Sequence, residues 1–167
     1  MNELEKVWPQ MLDAAAEKAA ETGRNELAAY LRLKATNDAV RTVAVTWLID
    51  TFVELAGEMM RGRPNLLMER EEPYSFARGN STMVGTLIEV KQGVRSLGLA
   101  AGWARVPAHG FMEKGALAYA RFTHFGMPAA GKELRLVRGD ELPRWLDDSE
   151  VAIDLAELQR HLDILLS

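Results

Sequence analysis

The chain contains no cysteine among its 167 residues. This absence excludes disulfide bonds, thiolate metal sites, iron–sulfur clusters and a cysteine nucleophile. A chain of this length needs no such cross-links, because folding removes roughly 70% of the surface that the unfolded chain exposes. The composition fits a reducing compartment, and we expect a cytoplasmic protein.

Long apolar runs are also missing. The most apolar stretch, residues 43–49, is followed by Asp50 and is far too short to cross a bilayer. Residues 1–6 are polar and acidic, and they lack the basic start and apolar core of a signal peptide. We therefore expect a protein without membrane contacts.

The chain has no strong excess of either charge, since its formal net charge is −4. Both ends are acidic, whereas residues 66–140 are mildly basic. The overall charge does not favour nucleic acid as a general partner. The basic middle is compatible with a small anionic ligand or a protein partner.

The sequence lacks the common catalytic and nucleotide-binding motifs. It contains no GxSxG, no P-loop lysine and no GxGxxG. We therefore assign no catalytic residue and predict no cofactor, and the sequence leans towards a protein without enzymatic activity.

Helical periodicity dominates the first part of the chain. Apolar residues recur every three or four positions in residues 9–23 and again in residues 40–59. Residues 36–38, Thr-Asn-Asp, are typical of helix caps, so they either break a helix or lie within one long helix. We predict two or three helices in residues 1–63.

Residues 66–138 have the pattern of an antiparallel sheet of four or five strands. The first strand is expected to stop at Pro73. The clearest hairpin turns at residues 91–93, Lys-Gln-Gly, where a three-residue connection ending in glycine suits a glycine bulge.

A last helix is predicted over residues 155–166. Asp154 can cap it, and Glu157 completes a pattern resembling a capping box. The apolar stripe of this helix predicts packing on the sheet. The expected fold is therefore α+β, formed by a single domain over residues 1–167.

One glycine-bounded loop, residues 104–115, gathers several reactive side chains. Its histidine could act as a general base near neutral pH, and its first arginine could hold a carboxylate or phosphate. With two residues of the next strand, the candidate ligand-binding set is Arg105, His109, Glu113, Arg121 and His124. The plainer alternative is a long exposed connection with ordinary polar residues.

Metal and nucleic-acid sites are two further alternatives. His109, Glu113 and His124 are suitable metal ligands, but their spacing matches no standard zinc motif, so no metal site is predicted. Three aromatic residues with arginines nearby in the sheet, Tyr119, Phe125 and Trp103, could stack on single-stranded nucleic acid. Aromatic residues at strand spacing are more often part of the core.

Residues 40–60 carry more apolar surface than one buried face requires. Val45 and Ile49 lie outside the main stripe, and twofold pairing of two copies would bury them. The preferred interpretation is a non-catalytic binding or regulatory module that forms a homo-oligomer.

Two other functions remain open. A small enzyme would need a pocket that joins His109, Glu113, Arg121 and His124. A nucleic-acid-binding sheet, the weaker alternative, would need exposed aromatic side chains flanked by arginine. The burial of His124 and Tyr119 is therefore the most informative observation that a structure offers.

Overall fold

The computed structural model describes residues 14, 15, 17, 25–112, 115–139 and 142–167. The chain divides into two compact units, Met1–Val43 and Ala44–Ser167. The regular elements are helix α1 (Asn25–Met60), strands β1 (Leu66–Arg78), β2 (Ser81–Gln92), β3 (Arg95–Trp103), β4 (Ala118–Phe125), β5 (Lys132–Val137) and β6 (Arg144–Leu146), and helix α2 (Leu155–Leu166). The predicted α+β class is confirmed.

Helix α1 is continuous over 36 residues. The cap-forming residues 36–38 do not interrupt it, because Thr36 bonds back to the carbonyl of Arg32 and Asp38 pairs with Arg41 one turn later. The predicted first helix, residues 9–23, lies outside the described residues apart from positions 14, 15 and 17, which are helical.

The side of α1 that is buried differs from the prediction. Val45 and Ile49 are 7% and 2% exposed, whereas Trp47 is 46% exposed. The prediction that Val45 and Ile49 provide spare apolar surface is therefore wrong, because both are core residues. Within the described residues, no helix combines the length and the apolar character that crossing a membrane requires.

The six strands form one antiparallel sheet in chain order, from β1 to β6. The prediction of four or five strands missed β6, which has three residues and is too short to show an alternating pattern. The predicted stop at Pro73 is also wrong. Strand β1 continues through it with a register shift between Glu71 and Tyr74, which an edge strand tolerates.

The hairpin between β2 and β3 has the predicted location but a shorter turn. Gln92 pairs with Arg95, so the connection is the two residues Gly93 and Val94 rather than residues 91–93. Gly93 has a φ of +62°. A glycine at the first position of a two-residue hairpin turn is typical of type II′.

Helix α2 and the second half of α1 pack on the same face of the sheet, called the covered face below. The ring of Phe52 in α1 meets the ring of Phe122 in β4 at 6.0 Å, edge to face. From α2, His161 stacks on the same Phe122 at 3.9 Å. The cap at Asp154 forms as predicted, with its side chain accepting from the Glu157 N–H.

The other face of the sheet is strongly curved. Arg121 in β4 donates to the carbonyl oxygen of Ala77 in β1 at 2.7 Å. In a flat sheet these strands, three places apart, would be about 14 Å from each other. The sheet therefore coils, so that the end of β1 folds over β4 and β5.

Two paired glycines allow the coil. A Cβ on Gly85 would lie 1.8 Å from the carbonyl oxygen of Ala101, and one on Gly102 would lie 2.4 Å from that of Val84. Glycine is thus needed where the backbones of β2 and β3 approach closely. A small core fills the inside of the coil, made of Phe76, Met83, Ala100, Ala116 and Tyr119.

Candidate functional site

The described part of the predicted loop folds back on itself through Arg105. The guanidinium lies 3.6 Å from the centre of the Trp103 ring, and its Nε donates to the carbonyl of Val84 at 3.2 Å. The backbone N–H of Arg105 donates to Nδ1 of His109 at 3.1 Å. The structure thus brings these two predicted site residues together, but in contacts that hold the loop in place.

Arg121 takes no part in these loop contacts. It lies on the strongly curved face of the sheet, opposite the covered face. Its side chain bridges the end of β1 and Glu133 in β5, with its Nε 3.1 Å from the Glu133 carboxylate. Glu113, the remaining candidate of the loop, lies outside the described residues.

His124 is on the opposite, covered face. Residues of a strand alternate between faces, so Arg121 and His124 point to opposite sides of β4. The imidazole of His124 is buried at 4% exposure and faces His161 of α2. A single pocket that joins His109, Arg121 and His124 is therefore not formed.

His124 and His161 form a buried pair. Nε2 of His124 lies 2.8 Å from Nδ1 of His161, and Nε2 of His161 lies 3.2 Å from Oε1 of Glu157. Burial lowers the pKa of both rings, helped by the charge of Arg160, and brings that of His161 to about 4. Both imidazoles are therefore neutral near pH 7.

The charged side chains around this pair form ion pairs with one another. Glu157 accepts from Arg160 at 2.8 Å and from Lys132 at 2.8 Å. These contacts, led by the hydrogen bond from Arg160, lower the pKa of Glu157 to about 2. The sequence marked His124 as a candidate but offered no sign of its partner, since His161 lies 37 residues later on another element.

A cavity of about 80 Å³ lies where the coiled end of β1 meets β5 and β6. Its charged lining contains two arginines and four acidic residues, namely Arg78, Arg135, Glu133, Asp147, Asp148 and Glu150. Both arginines already contact carboxylates, Arg78 that of Glu133 and Arg135 that of Glu150. The excess of acids does not favour a small anionic ligand in this cavity.

Two of the three aromatic residues proposed to stack on nucleic acid are covered, whereas Phe125 is 67% exposed. Tyr119 and Trp103 are 2% and 5% exposed. Each lies beneath a guanidinium, Tyr119 under Arg78 at 3.8 Å and Trp103 under Arg105 at 3.6 Å. These two rings are thus not available to stack on bases.

Within the part of the chain that the structure describes, the coil leaves part of the sheet without a layer of protein above it. Two rows of directly opposed residues cross β1 to β4 here, and a further pair lies beside them on β1 and β2. We call these residues the uncovered face: Leu67, Lys91, Ser96 and Phe125; Glu69, Glu89, Gly98 and Thr123; and Glu71 with Leu87. Directly opposed residues share a face, and Phe125 points away from the helices because His124 points towards them.

The uncovered face has an apolar side chain at each end of its first row and acidic side chains beside that row. Leu67 is 60% exposed and Phe125 is 67% exposed. Lys91, its single cation, is paired with Glu69 at 2.9 Å. Alternation in the sequence indicated which residues of each strand share a face, but the face as a whole depends on the register between strands.

Among the described residues, no three histidine or carboxylate side chains are arranged to hold a metal ion. The chain matches no protein family, no curated protein and no solved structure.

Proposed function

We propose that the protein is a non-catalytic binding module whose uncovered face receives a protein partner that presents apolar and cationic side chains. The observation that carries this proposal is the exposure of Leu67 and Phe125 in one row of an ordered sheet. Leu67 and Phe125 lie at opposite ends of this row, and large exposed apolar side chains on one surface favour association with a partner.

The flatness of the surface between these side chains supports the proposal. Gly98 occupies the middle row, and the position of its missing Cβ is 3.5 Å from the side chain of Leu87 and 3.9 Å from that of Glu89. These two side chains therefore lie across the glycine, which is itself buried, so a partner would meet Leu87 and Glu89 here and not the strand backbone.

The charges of the face indicate the chemistry of the partner. Glu69, Glu71 and Glu89 outnumber Lys91, so the face is acidic and repels polyanions such as nucleic acid. Two copies of the same acidic surface would repel each other. A partner segment with lysine or arginine between apolar side chains matches both features.

The absence of convergence among the titratable candidates also favours binding over catalysis. Arg121 and His124 lie on opposite faces of β4, and each has a structural partner, Glu133 and His161 respectively. The cytoplasmic location expected from the cysteine-free sequence is kept as part of the proposal.

The test uses two soluble octapeptides with blocked ends, one alternating lysine with leucine and the other alternating glutamate with leucine. We expect the lysine peptide to bind, with an affinity that falls as salt rises. Phe125→Ser and Glu89→Lys should each weaken this binding at least about tenfold, or about 1.4 kcal/mol. Calorimetry or fluorescence anisotropy measures the affinities.

The matched control is Glu54→Lys, which makes the same charge change at an exposed position of α1. It should leave the affinity for the lysine peptide nearly unchanged. If Glu54→Lys weakens binding as much as Glu89→Lys, the affinity for the peptide depends only on the net charge of the protein. The uncovered face is then not the binding surface. Equal affinity for both peptides would contradict the charge argument.

Self-association is a second proposal, carried by the 46% exposure of Trp47 on α1. A large aromatic side chain is a common anchor in the centre of an interface. The pairing would use α1, because the acidic uncovered face opposes contact between two copies. Molar mass measured by light scattering across a dilution series, for the natural chain and for Trp47→Glu, tests this proposal.

A further inference from the structure

The buried pair of His124 and His161 joins helix α2 to the sheet. Their exposures are 4% and 0%, and their facing nitrogens are 2.8 Å apart. The ring of His161 also stacks on Phe122, with centres 3.9 Å apart and planes 10° from parallel. The two imidazoles thus form the polar centre of an otherwise apolar contact.

Hydrogen bonding fixes the protonation of the neutral pair. The carboxylate of Glu157 accepts hydrogen bonds, so Nε2 of His161, at 3.2 Å, carries a hydrogen. Its Nδ1 is then an acceptor, and Nε2 of His124 donates to it. Only one hydrogen fits between the facing nitrogens, because two N–H groups at 2.8 Å would repel each other.

The surrounding charges do not favour an added proton. From α2, Arg160 lies 3.4 Å from Nε2 of His161, and Glu157 is already shared with Arg160 and with Lys132 of β5. From β3, the positive charge of Arg95 also acts on His124.

The remaining neighbours add little negative charge. Asp147, after β6, lies 3.6 Å from Lys132. Helix α1 contributes the phenyl ring of Phe52 against Phe122. A protonated imidazole in this pair would therefore be buried near Arg160 and Arg95. The nearby carboxylate of Glu157 is already paired with Arg160 and Lys132.

We propose that His124 and His161 form an acid-sensitive latch, and that protonation of the pair releases helix α2 from the covered face while the sheet remains folded. Besides the histidine pair, the polar contacts of α2 with the sheet include the bond from Arg95 of β3 to the carbonyl of Ile164 at 2.9 Å and the pair of Glu157 with Lys132 of β5. The hydrogen bonds within α2, including the cap at Asp154, do not depend on the sheet. This regulation is independent of the binding surface proposed above, which lies on the opposite face.

The sign and size of the effect follow from linkage. Burial lowers the pKa of His161 from 6.5 to about 4, so the released state takes up a proton that the docked state does not hold between these values. Docking is therefore at full strength above pH 6.5 and weakens as the pH falls towards 4. Between pH 7 and pH 4.5, the equilibrium constant for release should rise on the order of 50-fold.

Hydrogen exchange of the folded chain tests the latch. After correction for intrinsic rates, the opening constant of the Leu162 amide in α2 should rise on the order of 50-fold between pH 7 and pH 4.5. At pH 4.5 it should exceed that of the Leu99 amide in β3 at least tenfold. The double variant His124→Gln with His161→Asn keeps the donor and acceptor that face each other but cannot titrate, so its α2 amides should lose most of this rise.

The third histidine provides the control, because the chain contains only three. His109→Gln should keep the full pH response of α2. Equal opening of Leu162 and Leu99 at pH 4.5 would mean that the whole domain unfolds, and the latch would be rejected. It would also be rejected if the double variant kept the response, or if NMR titration of the imidazoles gave both rings pKa values near 6.5, a measurement that needs no variant.

Discussion

Arg121 in β4 donates a hydrogen bond of 2.7 Å to the main-chain oxygen of Ala77 in β1, although two strands lie between them in the sheet. The same guanidinium pairs with Glu133 at 3.0 Å. Arg78, the next residue of β1, lies over Tyr119 and contacts Glu133 as well. These contacts join the edge strand β1 to β4 and β5 across the coil, where no backbone ladder connects β1 to β4.

The Arg121 contacts predict that Arg121→Ala is destabilising. Loss of the bond to Ala77 and of the Glu133 pair should lower the free energy of unfolding by about 1–2 kcal/mol. Arg70→Ala is the matched control, because it removes only an exposed pair with Glu72 and should cost less than about 1 kcal/mol. Urea unfolding measures both, and equal losses would mean that Arg121 is an ordinary surface ion pair.

Two glycines predict effects of opposite sign. Gly93 has a positive φ in the hairpin turn, so Gly93→Ala should lower the free energy of unfolding by roughly 1 kcal/mol. Gly57 lies inside α1 with open space at its Cβ position, so Gly57→Ala should raise stability by about 0.5–1 kcal/mol. Thermal or urea unfolding of the two variants tests the turn assignment, which a neutral result at Gly93 would contradict.

Local features of the fold were predictable because they depend on neighbouring residues. The cap formed by Asp154 and Glu157 depends on four consecutive residues, and the hairpin at Gly93 depends on a few more. The passage of β1 through Pro73 was not predictable in this way. It depends on the position of β1 at the sheet edge, which is a property of the whole sheet.

The candidate site was predictable only residue by residue. Alternation along β4 places Arg121 and His124 on opposite faces, so the pocket that was expected to contain both could not form. Their actual partners, Glu133 and His161, come from register and from tertiary packing, neither of which leaves a local pattern. The role of Gly85 and Gly102 in the coil depends on the three-dimensional path of β2 and β3, which no local pattern shows.

Glu157 predicts a stability change at low pH. Its pKa is lowered from 4.5 to about 2, chiefly by Arg160, so its ionised form stabilises the folded state. This contribution, roughly 3 kcal/mol, is complete above pH 4.5 and is lost as the pH falls towards 2. Glu157→Gln should therefore be less stable at pH 7 and approach the natural chain near pH 2.

Unfolding measured at several pH values tests the Glu157 prediction. The control Glu54→Gln changes an exposed residue of α1 and should have little effect at any pH. A difference between Glu157→Gln and the natural chain that stays constant down to pH 2 would show that the contribution does not depend on ionisation.

The last prediction concerns the two sides of α1. Ile49 is 2% exposed, so Ile49→Glu would bury a carboxylate in the core and should cost several kcal/mol, enough to unfold much of the protein. Trp47, two residues away, is 46% exposed, so Trp47→Glu should leave the fold intact. Circular dichroism distinguishes the two variants.

If α1 pairs two copies, light scattering should also give a lower molar mass for Trp47→Glu than for the natural chain. If Ile49→Glu instead gave a folded monomer, Ile49 would belong to an interface between copies, and the buried position described above would be wrong.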